Sequence, residues 1–136
     1  MSIRNINPAA LYDGAASGLS HARVDTLNGL VFVSGQVDWN TDFGVVHESI
    51  EEQTEAASKN LLTVLGEASS SVDDLLQLRV YVRGELSDHM EAVVPILVKY
   101  LGRARPALTG VGVASLASPD LLIEIEAIAR VSAAAL

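Results

Sequence analysis

Two carboxylates near the end of the chain have a spacing that general acid–base chemistry could use. Glu124 and Glu126 alternate with isoleucines in the run 123–128. On a β-strand, this period of two places both carboxylates on one face, about 7 Å apart. A carboxyl group can donate and accept protons near neutral pH when burial raises its pKa. A solvated polar face gives the same pattern, and spacing alone favours that simpler interpretation.

The segment before these carboxylates carries two glycines on one strand face. If residues 107–114 form a strand, Leu108, Gly110 and Gly112 share a face. Glycines in a strand leave open space beside the sheet, which suits a ligand or the backbone of a partner. They also mark bulges and bends. Both interpretations remain open at this point.

Ser34 and Gly35 follow a β-rich run and could face a ligand through the serine hydroxyl or the glycine N–H. Trp39 and Phe43 come shortly afterwards in a predicted loop. We interpret these two aromatic residues as packing or rim groups rather than as stacking platforms. Taken alone, this segment is a weak indication of a site.

The histidines and the missing motifs exclude several kinds of site. His21, His47 and His89 do not have a metal-binding spacing such as H-x-x-x-H, and we expect them at the surface or in loops. The chain has no cysteine, which excludes thiolate metal sites and cysteine nucleophiles. It also has no glycine-rich nucleotide loop and no G-x-S-x-G elbow. The residues therefore give no support to a metal site or to nucleotide binding.

A β-hairpin and a helix are predicted in the first half of the chain. Asn28-Gly29 is a strong hairpin signal between strands at 21–26 and 30–33. Ser49 and Glu52 form a capping box, which indicates the start of a helix of about five turns. An apolar stripe at spacings of three and four residues follows. Its members are Ile50, Thr54, Ala57, Leu61, Val64, Leu65 and Ala68.

The second half is predicted to contain a second helix and three strands. The strands are expected at 76–82, 107–114 and 121–131, and the helix at 87–101. Met90, Val93, Val94, Leu97 and Leu101 form the expected buried side of that helix. Pro95 should kink the helix or delay its start, because proline lacks a backbone N–H. The element order is then β-hairpin, α, β, α, β, β.

This order predicts a two-layer α/β domain with a mixed sheet and two helices on one sheet face. The other face, to which we assign Leu108, Leu122 and Ile128, is too apolar to lie in water. Burial of that face against another copy of the chain would resolve the conflict. The pattern therefore predicts a homo-oligomer.

Length and charge set the remaining limits. The 136 residues correspond to one domain, 1–136, and 49% apolar content is enough for a hydrophobic core. The net charge of −8 argues against nucleic acids and anionic membrane surfaces as partners. The amino terminus lacks the apolar stretch of a signal peptide, and no apolar run approaches the ~20 residues of a membrane span. We expect a cytoplasmic protein.

Five segments together resemble the RidA/YjgF family, also called the L-PSP family. They are LVFVSGQV (30–37), EEQTEAASKNLLTVLGEA (51–68), DDLLQLRVYV (73–82), RPALTGVGVASL (105–116) and IEIEAIA (123–129). The resemblance implies a chorismate-mutase-like (YjgF-like) fold and a homotrimer with small-molecule clefts between subunits. It implies no metal and no organic cofactor. It also implies hydrolysis of enamines and imines to 2-oxo acids and ammonia.

The resemblance also implies roles for particular residues. Glu124 matches the glutamate that orients water, and Gly35, beside Ser34, matches a backbone donor. The position of the arginine that grips the substrate carboxylate is occupied by Leu108, which carries no charge. The family's tyrosine near the first cleft strand aligns with His21 or with Leu19, depending on how the hairpin is matched.

These correspondences describe a cleft with an altered substrate preference. With leucine at position 108, the cleft lacks the charged group that binds a substrate carboxylate. Gly110 and Gly112 leave more space on the same side of the cleft. Our first hypothesis is an enzyme that hydrolyses small reactive imines or enamines through Glu124. The alternative is a non-catalytic trimer that binds or senses a neutral small molecule. Ribonuclease activity ranks last, because the acidic chain repels RNA.

Overall fold

The computed structural model describes residues 2–135 and contains one six-stranded sheet and two α-helices. The strands are β1 Ile3–Ile6, β2 Ala22–Asp25, β3 Leu30–Gln36, β4 Leu75–Arg83, β5 Ala107–Val113 and β6 Ile123–Arg130. The helices are α1 Ile50–Glu67 and α2 Met90–Leu101. The strand order is β1-β2-β3-β6-β4-β5, with β4 and β5 parallel and the other pairs antiparallel. The predicted mixed sheet with two helices is confirmed.

The predicted hairpin joins β2 to β3. Residues 26–29 form the loop, and Gly29 adopts a φ of +68°, which glycine reaches without steric cost. The Asp25 carboxylate accepts hydrogen bonds from the N–H groups of Leu27 and Asn28 at 3.0 and 3.2 Å. The turn is therefore built from Asp25 as well as from the Asn28-Gly29 pair.

Helix α1 follows the sequence prediction closely. The Ser49 hydroxyl accepts a hydrogen bond from the Glu52 N–H at 3.1 Å and so caps the first turn. Every member of the predicted apolar stripe is buried. The stripe packs on β3 and β6, where Val31, Ile123 and Ile125 complete the core.

Helix α2 differs from its prediction at its start and on its buried side. It begins at Met90, because residues 86–88 form one turn of 3-10 helix, and Pro95 lies inside it. Met90 and Val94, which the sequence placed on the buried side, are 48% and 43% exposed. The helix packs mainly on α1 rather than across the sheet, so its buried strip is narrow.

Two further differences concern the strands. The sequence analysis did not identify β1, a four-residue edge strand next to β2. Regular alternation over the predicted strand 76–82 would bury Leu76 together with Leu78, Val80 and Val82, but Leu76 is 44% exposed. The pairing of β4 with β6 shifts between Leu75 and Gln77, and this irregularity turns Leu76 out of the core.

The sheet face opposite the helices is open and partly apolar. Phe32, which is 47% exposed, lies beside Ile128 in the β3–β6 register. Leu108 was assigned to this face, and that assignment is wrong: it pairs with Leu78, whose side chain points to the helix layer. Neither helix of the described chain is long and apolar enough to cross a membrane.

Candidate functional site

A cavity of about 450 Å³ lies where β3 meets β6, with Glu124 in its wall. The loops before β2 and after β3 supply most of the other walls. The lining residues are Tyr12, Ser17, Leu19, Ser34, Gly35, Val37, Trp39, Phe43, Ala117 and Glu124. Glu124, Ser34 and Gly35, which the sequence analysis singled out separately, therefore meet in one cavity.

A bulge in β3 creates the space for Glu124. The β3–β6 register shifts between Val33 and Gln36, so Ser34 and Gly35 form an irregular step. A Cβ atom added at Gly35 would overlap the Glu124 carboxylate. The Ser34 hydroxyl and N–H both donate to the His21 carbonyl oxygen, at 3.2 and 2.9 Å, and so fix the bulge.

Glu124 and Glu126 share one face of β6 but have different partners. Glu126 accepts a hydrogen bond from the Tyr81 hydroxyl and lies 3.6 Å from Arg79 Nη1. The Glu124 carboxylate has no hydrogen bond or ion pair with any residue between 2 and 135. Burial raises the pKa of the Glu124 carboxyl above its ordinary 4.5, and the charge of Glu126 raises it further. A carboxyl group of this kind is suited to proton transfer.

Three aromatic rings form the apolar side of the cavity. Tyr12 contacts Trp39 and Phe43 with ring centroids 5.3 and 5.1 Å apart, and Trp39 and Phe43 lie 5.6 Å apart. Trp39 and Phe43 line the cavity rather than only packing at its rim. The sequence analysis did not identify Tyr12, because it lies in an irregular loop with no periodic pattern.

A tight loop holds Phe43 over the cavity. Phe43 has a φ of +62°, a left-handed conformation that is uncommon for a bulky residue. The Asn40 side-chain oxygen accepts hydrogen bonds from the N–H groups of Asp42 and Gly44, both at 2.9 Å. The Phe43 N–H donates to the Asn40 carbonyl oxygen at 3.1 Å. Asn40 therefore organises the turn that places the Phe43 ring.

His21 does not line the cavity. It is fully buried, which corrects the expectation of a surface or loop position. Gln36 Nε2 donates to Nδ1 at 3.2 Å, so the ring proton is on Nε2, which donates to the Tyr12 carbonyl oxygen at 2.8 Å. Its ring also packs against the Tyr12 ring at 4.5 Å. His21 thus positions Tyr12 and Ser34. Leu19, the other residue that could match the family's tyrosine, lines the cavity.

Leu108 and Gly110 lie apart from Glu124 within one chain. Both are on β5, with β4 between that strand and β6. A Cβ at Gly110 would lie 3.2 Å from Leu86, and one at Gly112 would overlap the Gly84 carbonyl oxygen. The two glycines therefore leave room for residues 84–86, which follow β4 in the chain. They provide neither open space for a ligand nor a bend in the strand. Leu108 itself is 47% exposed.

A second polar cluster anchors the loop after β3. Asp38 is buried and accepts hydrogen bonds from the His47 N–H at 2.7 Å and from His47 Nδ1 at 3.1 Å. This pair ties the ends of residues 38–47 together. Among residues 2–135, no group of three or more acidic or histidine side chains is arranged to hold a metal ion.

The sequence matches known proteins over most of its length. Residues 13–131 match the family model described as Endoribonuclease L-PSP. A candidate regulator of Lactococcus lactis, AldR, is 34% identical over 123 residues, which cover 90% of this chain and 95% of AldR. A RutC family protein of Pyrococcus abyssi is 35% identical over 100 residues, which cover 73% of this chain and 76% of that protein.

Solved structures agree with these sequence matches. The crystal structure of yeast Mmf1 superposes with a TM-score of 0.85 at 28% identity and covers 96% of this chain and 99% of its own. A Mycobacterium tuberculosis member of the YjgF/YER057c/UK114 family superposes with a TM-score of 0.80 at 27% identity, covering 95% and 99%. From the sequence match and the shared fold, the chain belongs to the L-PSP family, also known as the RidA/YjgF family.

Proposed function

We propose that this protein is a cofactor-free hydrolase of small imines and enamines, in which Glu124 orients the attacking water. The observation that carries the proposal is the half-buried Glu124 carboxylate, which has no partner in the described chain and faces a cavity of about 450 Å³. A buried carboxyl without a structural partner costs stability, so its position calls for a chemical role.

The reaction needs only a positioned proton acceptor and donor. Glu124 accepts a proton from water while the water oxygen attacks the imine carbon, and the nitrogen takes up a proton. The resulting carbinolamine loses ammonia when its C–N bond breaks, and the carbonyl product keeps the water oxygen. In sum, R₂C=NH and H₂O give R₂C=O and NH₃. An enamine first becomes the imine by protonation at carbon.

The proposal includes a homotrimer with the clefts between its subunits. The partly apolar open face, with Phe32 at its centre, supports burial against other copies of the chain. Leu108 is exposed on the edge strand β5, so it could reach Glu124 only from a neighbouring subunit. In that arrangement Leu108 would add an apolar side chain to the cleft.

The test supplies imines from two sources, an amino acid oxidase and an amine oxidase, and follows the loss of the imine. We expect the protein to accelerate hydrolysis of at least one class, and Glu124→Gln to lower kcat by about 10²–10⁴-fold. Glu126→Gln is the matched control, because Glu126 lies on the same strand face but is engaged by Arg79 and Tyr81. No acceleration with either imine source would refute the proposal.

A non-catalytic binding or regulatory role is the second candidate. It is supported by the leucine at position 108 and by the likeness to AldR, which is described as a regulator. Stabilisation by a neutral metabolite in a thermal-shift screen, together with no imine turnover, would favour this role. The RNA cleavage that the family name suggests is disfavoured by the net charge of −8.

A further inference from the structure

The cavity around Glu124 holds a negative charge without a positive one. No lysine, arginine or histidine is among its lining residues in the described chain. On the same face of β4, Arg79 is paired with Glu126, and Arg83 Nη1 donates a hydrogen bond to the Pro119 carbonyl oxygen. The whole chain has a net charge of −8. The electrostatic field in this cavity therefore opposes an anion and favours a cation.

Glu126 provides an internal comparison for Glu124. The two carboxylates lie two residues apart on one strand face, and the protein balances Glu126 with Arg79 and with the Tyr81 hydroxyl. It supplies no such partner to Glu124. A carboxylate that is half-buried and unpaired gains most from a ligand that brings its own positive charge.

The aromatic wall fits the same class of ligand. A cation over an aromatic ring is attracted by the negative ring face. Tyr12, Trp39 and Phe43 all line the cavity, and the indole N–H of Trp39 donates to Ser118 Oγ at 3.4 Å. Phe43 is 47% exposed, so part of its surface is available to a ligand.

We infer that the cavity selects protonated imines of apolar amines that carry no carboxylate. This inference rests on the proposed function: it keeps the same hydrolysis reaction and adds the class of substrate. The iminium R₂C=NH₂⁺ and water give R₂C=O and NH₄⁺: the C=N double bond breaks, a C=O double bond to the water oxygen forms, and both protons of the water end on nitrogen, so no oxidant or reductant is needed. Glu124 would pair with the iminium nitrogen, and the aromatic wall would hold the substituent. A 2-imino acid would bring its carboxylate toward Glu124 with no cation to receive it.

The test measures binding of stable probes, so its outcome does not depend on turnover. Benzylamine, benzyl alcohol and benzoate have similar shapes but are positive, neutral and negative at about pH 8. Trp39, the single tryptophan of the chain, reports binding by fluorescence, and calorimetry repeats each titration. We expect benzylamine to bind about tenfold more tightly than benzyl alcohol and benzoate to bind more weakly than both.

Two variants distinguish binding through Glu124 from nonspecific binding of amines. Glu124→Gln should remove most of the preference for benzylamine over benzyl alcohol, while Glu126→Gln should keep it. Circular dichroism confirms that each variant is folded. Benzoate binding as tightly as benzylamine, no binding of benzylamine, or an unchanged preference in Glu124→Gln would each overturn the inference. If benzylamine is preferred but no imine is hydrolysed, the ligand class stands and the proposed reaction fails.

Discussion

The Glu124 carboxylate occupies the space that a side chain at Gly35 would take. A Cβ atom at position 35 would overlap Oε1, Cδ and Cγ of Glu124. The contact arises because the bulge in β3 brings the Gly35 backbone against the side chain from β6. Glycine is needed here for close approach and not for a special φ, since Gly35 is not among the residues with positive φ.

Gly35→Ala should therefore displace Glu124 and lower both stability and activity. The methyl group must push away the carboxylate or open the bulge, and overpacking of this kind costs about 1–3 kcal/mol. Urea unfolding measures the change in free energy, and the imine assay measures the loss of turnover.

Gly66→Ala is the control for this substitution. Gly66 is exposed in α1, and a Cβ there would meet nothing within 4 Å. Alanine has the higher helix propensity, so this variant should gain about 0.4–1 kcal/mol. Equal stability of the two alanine variants would contradict the packing of Glu124 against Gly35.

The raised pKa of Glu124 predicts a stability change with a definite sign. Burial and Glu126 raise the pKa of the folded carboxyl above 4.5, so ionised Glu124 destabilises the fold at pH values above the raised pKa. Glu124→Gln should increase the free energy of unfolding at pH 7. The gain should shrink as the pH falls through the raised pKa and vanish well below 4.5, where both states bind the proton. Urea unfolding from pH 3 to 8 checks this, and a loss of stability at pH 7 would be inconsistent with an unpaired, desolvated carboxylate.

The sequence predicted local features better than features that depend on neighbouring elements. Helix α1 is specified by its own cap and stripe, and each predicted stripe residue is buried. In α2, the exposure of Met90 and Val94 follows from packing on α1, which no pattern within α2 reveals. The irregular pairing that turns Leu76 outward depends in the same way on β6.

The sequence analysis named some of the residues that line the cavity, but not their arrangement. Glu124 and Gly35 came from strand spacing and from the family resemblance, yet their contact depends on a bulge between strands that are distant in sequence. His21 aligned with a cleft residue but is buried behind Tyr12. The aromatic wall combines two irregular loops, and loops carry no periodic signal from which their contacts could be inferred.

Asp38 should be essential for the loop that carries Trp39 and Phe43. Its buried carboxylate accepts both the N–H and the ring Nδ1 of His47. Asp38→Ala leaves the His47 N–H without its acceptor, and we expect a cost of about 1–3 kcal/mol in urea unfolding. Asp42→Ala, in the same loop, changes an exposed side chain and should have little effect. Similar losses in both variants would argue against a specific anchoring role for Asp38.

Phe32 should contribute to the proposed homotrimer. It is 47% exposed on the open sheet face, beside Ile128. Phe32→Glu places a charge in the expected interface and should shift the protein to a monomer, as measured by sedimentation equilibrium. Leu27→Glu changes a loop residue that is 81% exposed and should leave the assembly intact. A wild-type protein that sediments as a monomer, or a Phe32→Glu variant that still forms trimers, would exclude this interface.

Leu108→Arg should move the substrate preference toward imines that carry a carboxylate. The family resemblance places a carboxylate-binding arginine at this position, and a bidentate contact of that type contributes about 1.5–3 kcal/mol. We therefore expect kcat/KM for 2-imino acids to rise by about 10–150-fold relative to amine-derived imines. Leu27→Arg introduces the same charge on a loop residue that is 81% exposed, and it should not produce this shift. If both arginine variants behave alike, the effect comes from net charge, and position 108 does not face the substrate.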